Sequence, residues 1–286
     1  MIPRYIWKCK QVFKKYHLHT WISFLEIANF VHILAKKEAV ISFRTHISVF
    51  TWVIGYIYKF LIKLLYPKAS KIIVNSHENK YDIASYLHIP VEKVEVLYNT
   101  IDNKLIAQQR TESREERLNE VCKGKMVFVT TGRLIPSKQH EKIVGGLHRI
   151  AQSWHLNWKY LIIWDGPQRW YLTSLVEQYG LTDNVIFLWE QKNIFKYLDL
   201  TDYFLYASAV EWFPNVLAEA KAMGIPIVTS DFQSGAKEVI LGQFDKELAN
   251  NMSYPYRWTY WILLDPLRFE EQLYNRYVTT LLHATP

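Results

Sequence analysis

Two glutamates, Glu211 and Glu219, bracket the run Glu-Trp-Phe-Pro-Asn-Val-Leu-Ala-Glu, with seven residues between them. Pro214 suits the first position of a helix, where its missing N–H costs nothing. The backbone over Phe213, Pro214, Asn215 and Val216 then presents free amides at a helix start. Those amides, with the helix dipole, attract phosphate. A carboxylate one turn further on repels phosphate but accepts hydrogen bonds from hydroxyls. Ribose is therefore the expected partner of Glu219, and a sugar's hydroxyls that of Glu211. Taken singly, either glutamate reads equally well as a solvated or helix-capping residue.

A second cluster lies upstream. Thr131-Gly132-Arg133 closes an apolar run, and Lys138 follows near the next helical pattern. Two cations at the carboxyl edge of a parallel sheet suit a diphosphate: arginine grips it bidentately and lysine supplies a point charge. An ordinary surface pair is the alternative for these two taken alone.

These residues need a scaffold, and the chain's grammar supplies one. From residue 126, short apolar runs (MVFVTT, KYLIIW, NVIFLW, YFLYASAV, IPIVTSD, WILLD) alternate with helical patterns. Such alternation predicts a parallel sheet covered on both faces, with ligands at the carboxyl ends of its strands. Upstream, WISFL, AVISF, KIIVN and KVEVLY read as strands of a second α/β domain. A doubly wound domain usually has about six strands, so its opening strands are expected to be absent. The expected division is a partial N-terminal domain over 1–103, a polar hinge over 104–125 and a C-terminal domain over 126–286. The run 49–66 approaches transmembrane length, but Lys59 and Lys63 interrupt it at helical spacing. It reads as an amphipathic helix that either packs inside its domain or touches a membrane surface.

Composition narrows the class. Half of the 286 residues are apolar and the mean hydropathy is −0.10, as expected of a soluble protein with a full core. The start, MIPRYIWKCKQ, alternates bulky and basic residues and does not read as a signal peptide. Two cysteines, Cys9 and Cys122, fit a reducing cytosol rather than a disulfide framework. Of the net charge of +7, the first hundred residues carry +8, with fourteen Lys/Arg against six acids. Such a half suits an anionic partner or a solvated face. No Gly-x-Gly-x-x-Gly follows a first strand, which argues against a dinucleotide oxidoreductase. No zinc spacing or recognition-helix motif accompanies the basic residues, so nucleic acid is not an expected partner.

In combination the pieces are more specific. Arg-x4-Lys, the Glu-x7-Glu pair, the Phe-Pro-Asn helix start and the following Gly-Ile-Pro-Ile-Val resemble glycosyltransferase family 4. Further matching pieces are Ile22-Ser-Phe-Leu, Arg44-Thr-His46, Ile72-Ile-Val-Asn-Ser76, Tyr98-Asn-Thr-Ile-Asp102, Asp165-Gly166-Pro167, Ser234-Gly-Ala-Lys-Glu238 and Ile262-Leu-Leu-Asp-Pro266. The resemblance implies a GT-B fold of two Rossmann-like domains and transfer of a sugar with retention, from a nucleotide-diphosphate sugar to a glycan. Arg133 and Lys138 would neutralise the leaving diphosphate, which requires no metal when the cations are well placed. Glu211 would hold the donor sugar and Glu219 the ribose. Gly132, Asp165, Gly166 and the 213–216 helix start would lie on the nucleotide-sugar side, and His46 would face the donor sugar. No protein base is assigned, because the family's leaving phosphate is thought to take the acceptor's proton. The basic first half and the 49–66 run extend this to a lipid-linked acceptor and a cytoplasmic protein at the inner membrane face.

Four tryptophans depart from the family pattern, each where it has glycine: Trp164, Trp189, Trp212 and Trp261. Glycine permits positive φ and close approach of ligand to backbone; indole does neither. Average usage would give about 20 glycines in a chain of this length, yet there are 10, against 11 tryptophans. One systematic replacement points to decoding: some bacterial lineages read UGA as glycine, and a table assigning it to tryptophan would write Trp at such sites. The expectation is that these four residues are glycine in the cell. If they are tryptophan, the competing reading gains: an inactive relative serving as scaffold or partner subunit.

Overall fold

The computed structural model describes residues 2–36, 38–45, 47, 50–153, 157–211, 213–232, 235–242, 252–254, 256–258 and 261–274. His46, Trp212, Ser234 and Tyr260 lie outside the described residues. The chain divides into two compact units, Met1–Asn99 with Glu211–Phe213, and Thr100–Val210 with Pro214–Pro286.

In the first unit, β1 (Ile22–Phe24), β2 (Val40–Ser42), β3 (Lys71–Val74) and β4 (Val94–Val96) form a parallel sheet in sequence order. The four runs read as strands are these four. Helices α2 (Glu26–Ala35), α3 (Trp52–Leu65) and α4 (His77–Leu87) connect them. Ile41, Phe43, Ile62, Tyr66 and Ile72 pack a dry core beneath. A polar knot sits within it. The buried Asn29 accepts from Ser23 Oγ at 2.7 Å and donates to Ser42 O and Tyr66 Oη, both at 2.9 Å. Buried amides cost several kcal/mol unless paired, so this pairing fixes α2 on the ends of β1 and β2. Ser76 caps α4, accepting from the Asn79 amide.

One element of this unit differs from the sequence reading. Ile2–Lys15 forms a helix, α1, that the alternation of bulky and basic residues did not suggest. Helix α3, read as amphipathic with packing and surface contact both open, buries fully only Gly55, Ile62 and Leu65.

The second unit holds a seven-stranded sheet, in order β10-β11-β9-β8-β5-β6-β7. Its strands are β5 (Met126–Thr131), β6 (Trp158–Ile163), β7 (Val185–Phe187), β8 (Tyr203–Tyr206), β9 (Ile227–Ser230), β10 (Tyr256–Trp258) and β11 (Trp261–Leu264). All pairings are parallel except that of β10 with β11, an antiparallel edge the sequence did not announce. Helices α7 (His140–Ser153), α8 (Arg169–Gln178), α9 (Phe195–Leu198), α10 (Asn215–Ala222) and α11 (Ala236–Leu241) complete the alternation. The polar segment ahead of β5 forms α5 (Asn103–Gln109) and α6 (Glu116–Cys122), which belong to this unit. Leu118 and Cys122 are buried, Arg110 and Arg114 pair with Asp199, and Tyr197 Oη donates to Glu115.

Among the described residues, two of the six non-glycine residues at positive φ are tryptophans, Trp52 at 66° and Trp164 at 145°. Those values suit glycine and strain a residue with a Cβ by about 1–3 kcal/mol. Trp164 is one of the four positions that depart from the family pattern; Trp52 is a fifth tryptophan, selected by backbone geometry alone. Trp189 is not at positive φ, and Trp261 Nε1 donates to Ile225 O at 3.4 Å. Described geometry therefore singles out Trp164 and leaves those two as they stand.

Candidate active site

The order of the second sheet reverses beside β5: β6 and β7 run outward on one side, β8, β9 and β11 on the other. In open α/β sheets the crevice at such a switch point, at the carboxyl ends of the strands, is where ligands bind. Gly132, Arg133 and Lys138 follow β5, and Asp165 and Gly166 follow β6, on that edge. Gly132 lies at φ 140°. Lys138 ends a 3-10 turn, Pro136–Lys138, and is half-buried. Its Nζ donates to Tyr206 Oη at 2.9 Å, at the end of β8, so it spans the switch point. The stem lies over Gly132, where an added Cβ would meet Lys138 Cε at 3.8 Å.

The 3-10 turn is anchored from β8. Ser137 O accepts from the Ala209 amide at 2.8 Å and from Ser208 Oγ at 3.1 Å. Ser230 Oγ at the end of β9 donates in turn to Ser208 O at 2.7 Å. Across β6, the Leu134 amide donates to Asp165 O at 3.1 Å and the Gln168 amide to Leu134 O at 2.9 Å. The turn is so close that a Cβ on Gly166 would lie 2.6 Å from Leu134 O, so only glycine fits. Asp165 Oδ1 accepts from the Gly166 amide, and Arg169 approaches its other oxygen at 3.4 Å. Arg133, next after Gly132, is exposed.

Helix α10 begins at Asn215, one residue later than expected: Pro214 is its N-cap, and its carbonyl accepts from the Leu217 and Ala218 amides. Asn215 is exposed and Val216 half-buried in the first turn. Glu219, in the second turn, is half-buried, and burial raises its pKa. A carboxylate short of water gains from hydroxyl donors. Glu211 and Phe213, both half-buried, group with the first unit rather than with α10. The first unit by itself holds a cavity of about 330 Å³ at the carboxyl ends of β1 and β2. Phe24, Leu25 and Phe50 form its apolar walls, and Glu26, Arg44 and Thr45 its polar groups. Thr45 Oγ1 is buried without a hydrogen-bond partner.

Residues 110–251 match the model for glycosyl transferases group 1, and residues 2–105 that for Glycosyltransferase Family 4. The chain belongs to the family 4 glycosyltransferases. It is 30% identical over 246 residues to the N-acetylgalactosamine-N,N'-diacetylbacillosaminyl-diphospho-undecaprenol 4-alpha-N-acetylgalactosaminyltransferase of Campylobacter jejuni, covering 83% of this chain and 64% of that protein. An uncharacterized glycosyltransferase of Methanocaldococcus jannaschii is 29% identical over 208 residues, 73% of this chain and 50% of its own length. The chain thus spans about half to two thirds of these relatives. The fold is GT-B. A glycosyltransferase from Rickettsia africae superposes with a TM-score of 0.73 at 15% identity, over 98% of this chain and 72% of that one. Anabaena HepE in complex with UDP gives 0.73 at 17% identity, over 97% and 72%.

In this family 4 chain, two positioning residues escaped the sequence reading. Tyr206 holds Lys138, but its pattern in Tyr-Phe-Leu-Tyr is that of any buried strand. Only the pairing of β8 with β5 reveals the contact. His140 is the other. It opens α7, is 1% exposed, and places Nε2 3.4 Å from Arg133 O. Burial holds its pKa down at about 4; the bond to the Arg133 carbonyl opposes that shift and the Lys138 charge adds to it. Nε2–H therefore donates to the carbonyl that carries the site's first cation. An unfolded histidine binds a proton near pH 6.5, which the folded one refuses. Stability from this group is full above that pH and is lost as pH falls toward 4, by roughly 3 kcal/mol in all. Melting curves between pH 7.5 and 4.5 should show this loss, and His140→Leu should flatten it; parallel curves would place the titration elsewhere.

Proposed function

We propose that the chain transfers a hexose or N-acetylhexosamine, with retention, from a nucleotide-diphosphate sugar (a UDP-sugar foremost) to a glycan acceptor, lipid-linked in surface-polysaccharide or oligosaccharide synthesis. One observation supports the reading: Arg133 and Lys138 follow β5, and the helix start at Pro214 and Asn215 follows β8, the two strands that meet at the switch point of the second sheet. The bond from the sugar C1 to the distal phosphate oxygen breaks, and the diphosphate leaves with the electron pair. Arg133 and Lys138 meet the charge that develops on it, in place of a metal. The acceptor oxygen bonds to C1 on the face the phosphate leaves, and its proton passes to that phosphate. Glu219 takes the ribose hydroxyls, Glu211 the donor sugar, and His46 faces that sugar. An acceptor sugar fits the first unit's cavity, with Phe24 and Phe50 against its apolar face and Arg44 and Glu26 on its hydroxyls.

Binding to the native state raises stability by about 2.7 kcal/mol at a ligand concentration 100 times Kd, several degrees in a chain of this size. A screen of UDP and UDP-sugars against the glycine-restored protein should show this. A stable fold with no nucleotide-dependent shift would count against the reading. Trp164, held at a φ that suits glycine, favours the second reading if it is tryptophan in the cell: an inactive relative acting as scaffold or partner subunit. Nucleotide-sugar hydrolysis by the full-length protein separates the two.

A further inference from the structure

Helix α3 carries an apolar seam on the wrong side for a core helix. Val53, Ile57, Phe60 and Leu64 follow one another at spacings of four, three and four, and so share one face. They are 77%, 53%, 67% and 50% exposed. Tyr56 stands beside them at 68%. The opposite face meets the core through Gly55, Ile62 and Leu65. Single exposed apolar residues are ordinary, but a contiguous seam of this kind marks an interaction surface.

Charge identifies what covers it. Between Glu38 and Glu78 the sequence has no acidic residue, while Arg44, Lys59, Lys63, Lys68 and Lys71 fall in that interval. Helix α1, which packs against α2 and so neighbours the same layer, adds Arg4, Lys8, Lys10, Lys14 and Lys15 with no acid of its own. A second copy would bring the same positive surface and nothing to neutralise it. An anionic bilayer supplies both an apolar interior and the opposite charge. Among the described residues no helix is long and apolar enough to cross a membrane. The 14 residues of α3 span about 21 Å, short of the ~30 Å hydrocarbon core.

The geometry points to α3 as an interfacial helix: it lies in the plane of an anionic lipid surface, with Val53, Ile57, Phe60 and Leu64 among the acyl chains. Lys59 and Lys63, along one flank, reach the headgroups with their stems against the apolar boundary. This surface is independent of the chemistry assigned to the second unit.

Sedimentation of the intact chain with extruded phosphatidylglycerol/phosphatidylethanolamine vesicles tests it, beside phosphatidylcholine vesicles. The wild type should pellet with the anionic vesicles at low salt and less as salt rises. Ile57→Ser/Phe60→Ser should lower the bound fraction by on the order of tenfold or more. Lys59→Glu/Lys63→Glu should weaken binding by at least about fivefold per lysine and flatten the salt dependence. An unchanged melting temperature shows that either variant is folded. No pelleting with anionic vesicles, or equal pelleting of wild type and Ile57→Ser/Phe60→Ser, overturns the inference. So does self-association by light scattering that the apolar variant abolishes while vesicles bind neither protein. A chain that binds vesicles but shows no shift with UDP retains this inference and loses the transferase reading.

Discussion

Lys138→Ala should lower sugar transfer by about 100- to 1,000-fold with little change in the melting temperature. The lysine is half-buried; its Nζ donates to the neutral Tyr206 Oη, and its stem lies over Gly132. What it supplies is a positive charge whose position is fixed before the reaction begins. Ser137 O is held by Ala209 and Ser208, and Ser208 by Ser230, so the turn carrying Lys138 is tied to β8 and β9. Such a charge stabilises a diphosphate as it leaves more than when it is bound, so kcat falls more than donor KM rises. Arg133→Ala should cost a similar factor, and the double variant less than the product, because the two cations share one anion. Lys138→Arg should not restore the rate: a planar fork does not replace a point charge beside Tyr206. Assays of initial rate against donor concentration decide this. A loss of threefold or less would place the diphosphate elsewhere.

Glycine at Trp164 and Trp212 should stabilise the chain and open it to nucleotide. At Trp164 the physical reason is backbone strain. A φ of 145° costs a residue with a Cβ about 1–3 kcal/mol, and Trp164→Gly should recover a comparable amount in urea unfolding. The strand end it occupies hands the chain to Asp165 and Gly166, where a single Cβ already has no room. At Trp212 the reason is the neighbourhood in sequence: the residue stands between Glu211 and the helix start proposed to take the phosphate. Trp212→Gly should bring in a UDP-dependent rise in melting temperature that the Trp212 protein lacks. The same geometry adds Trp52 as a candidate, at φ 66°. Codons settle the origin: UGG at Trp164 and Trp212 would sink the decoding idea. Equal UDP shifts in both proteins would show that an indole at 212 leaves the site open.

Much of the fold was legible because burial on both faces leaves a plain signature. MVFVTT is β5 residue for residue, and Ile-Val-Thr-Ser lies inside the run read as β9. Where the signal is polar or interfacial, legibility failed. The segment around Arg114 and Glu115 looked like a hinge because its contacts are charged. It folds as α5 and α6 since Asp199 and Tyr197, more than eighty residues later, supply partners. Helix α3 read as amphipathic, but its apolar spacing alone left packing inside the domain and contact with a membrane surface both open, because hydropathy measures composition and not direction.

Sequence alone determined the chemistry on offer: the cations Arg133 and Lys138, the carboxylates Glu211 and Glu219, the turn glycines, and the family pattern that gives them tasks. Residue type and local spacing carry that information, because a charge, a hydroxyl acceptor or a positive φ belongs to a few residues of one strand end or helix start. Tertiary structure decided what strand order controls. It set β8 beside β5 and so brought Tyr206 to Lys138. It buried His140 under the Arg133 carbonyl, and it turned the seam of α3 outward. Those are contacts between residues up to 68 positions apart, fixed by which faces the sheet buries, and no local pattern encodes them.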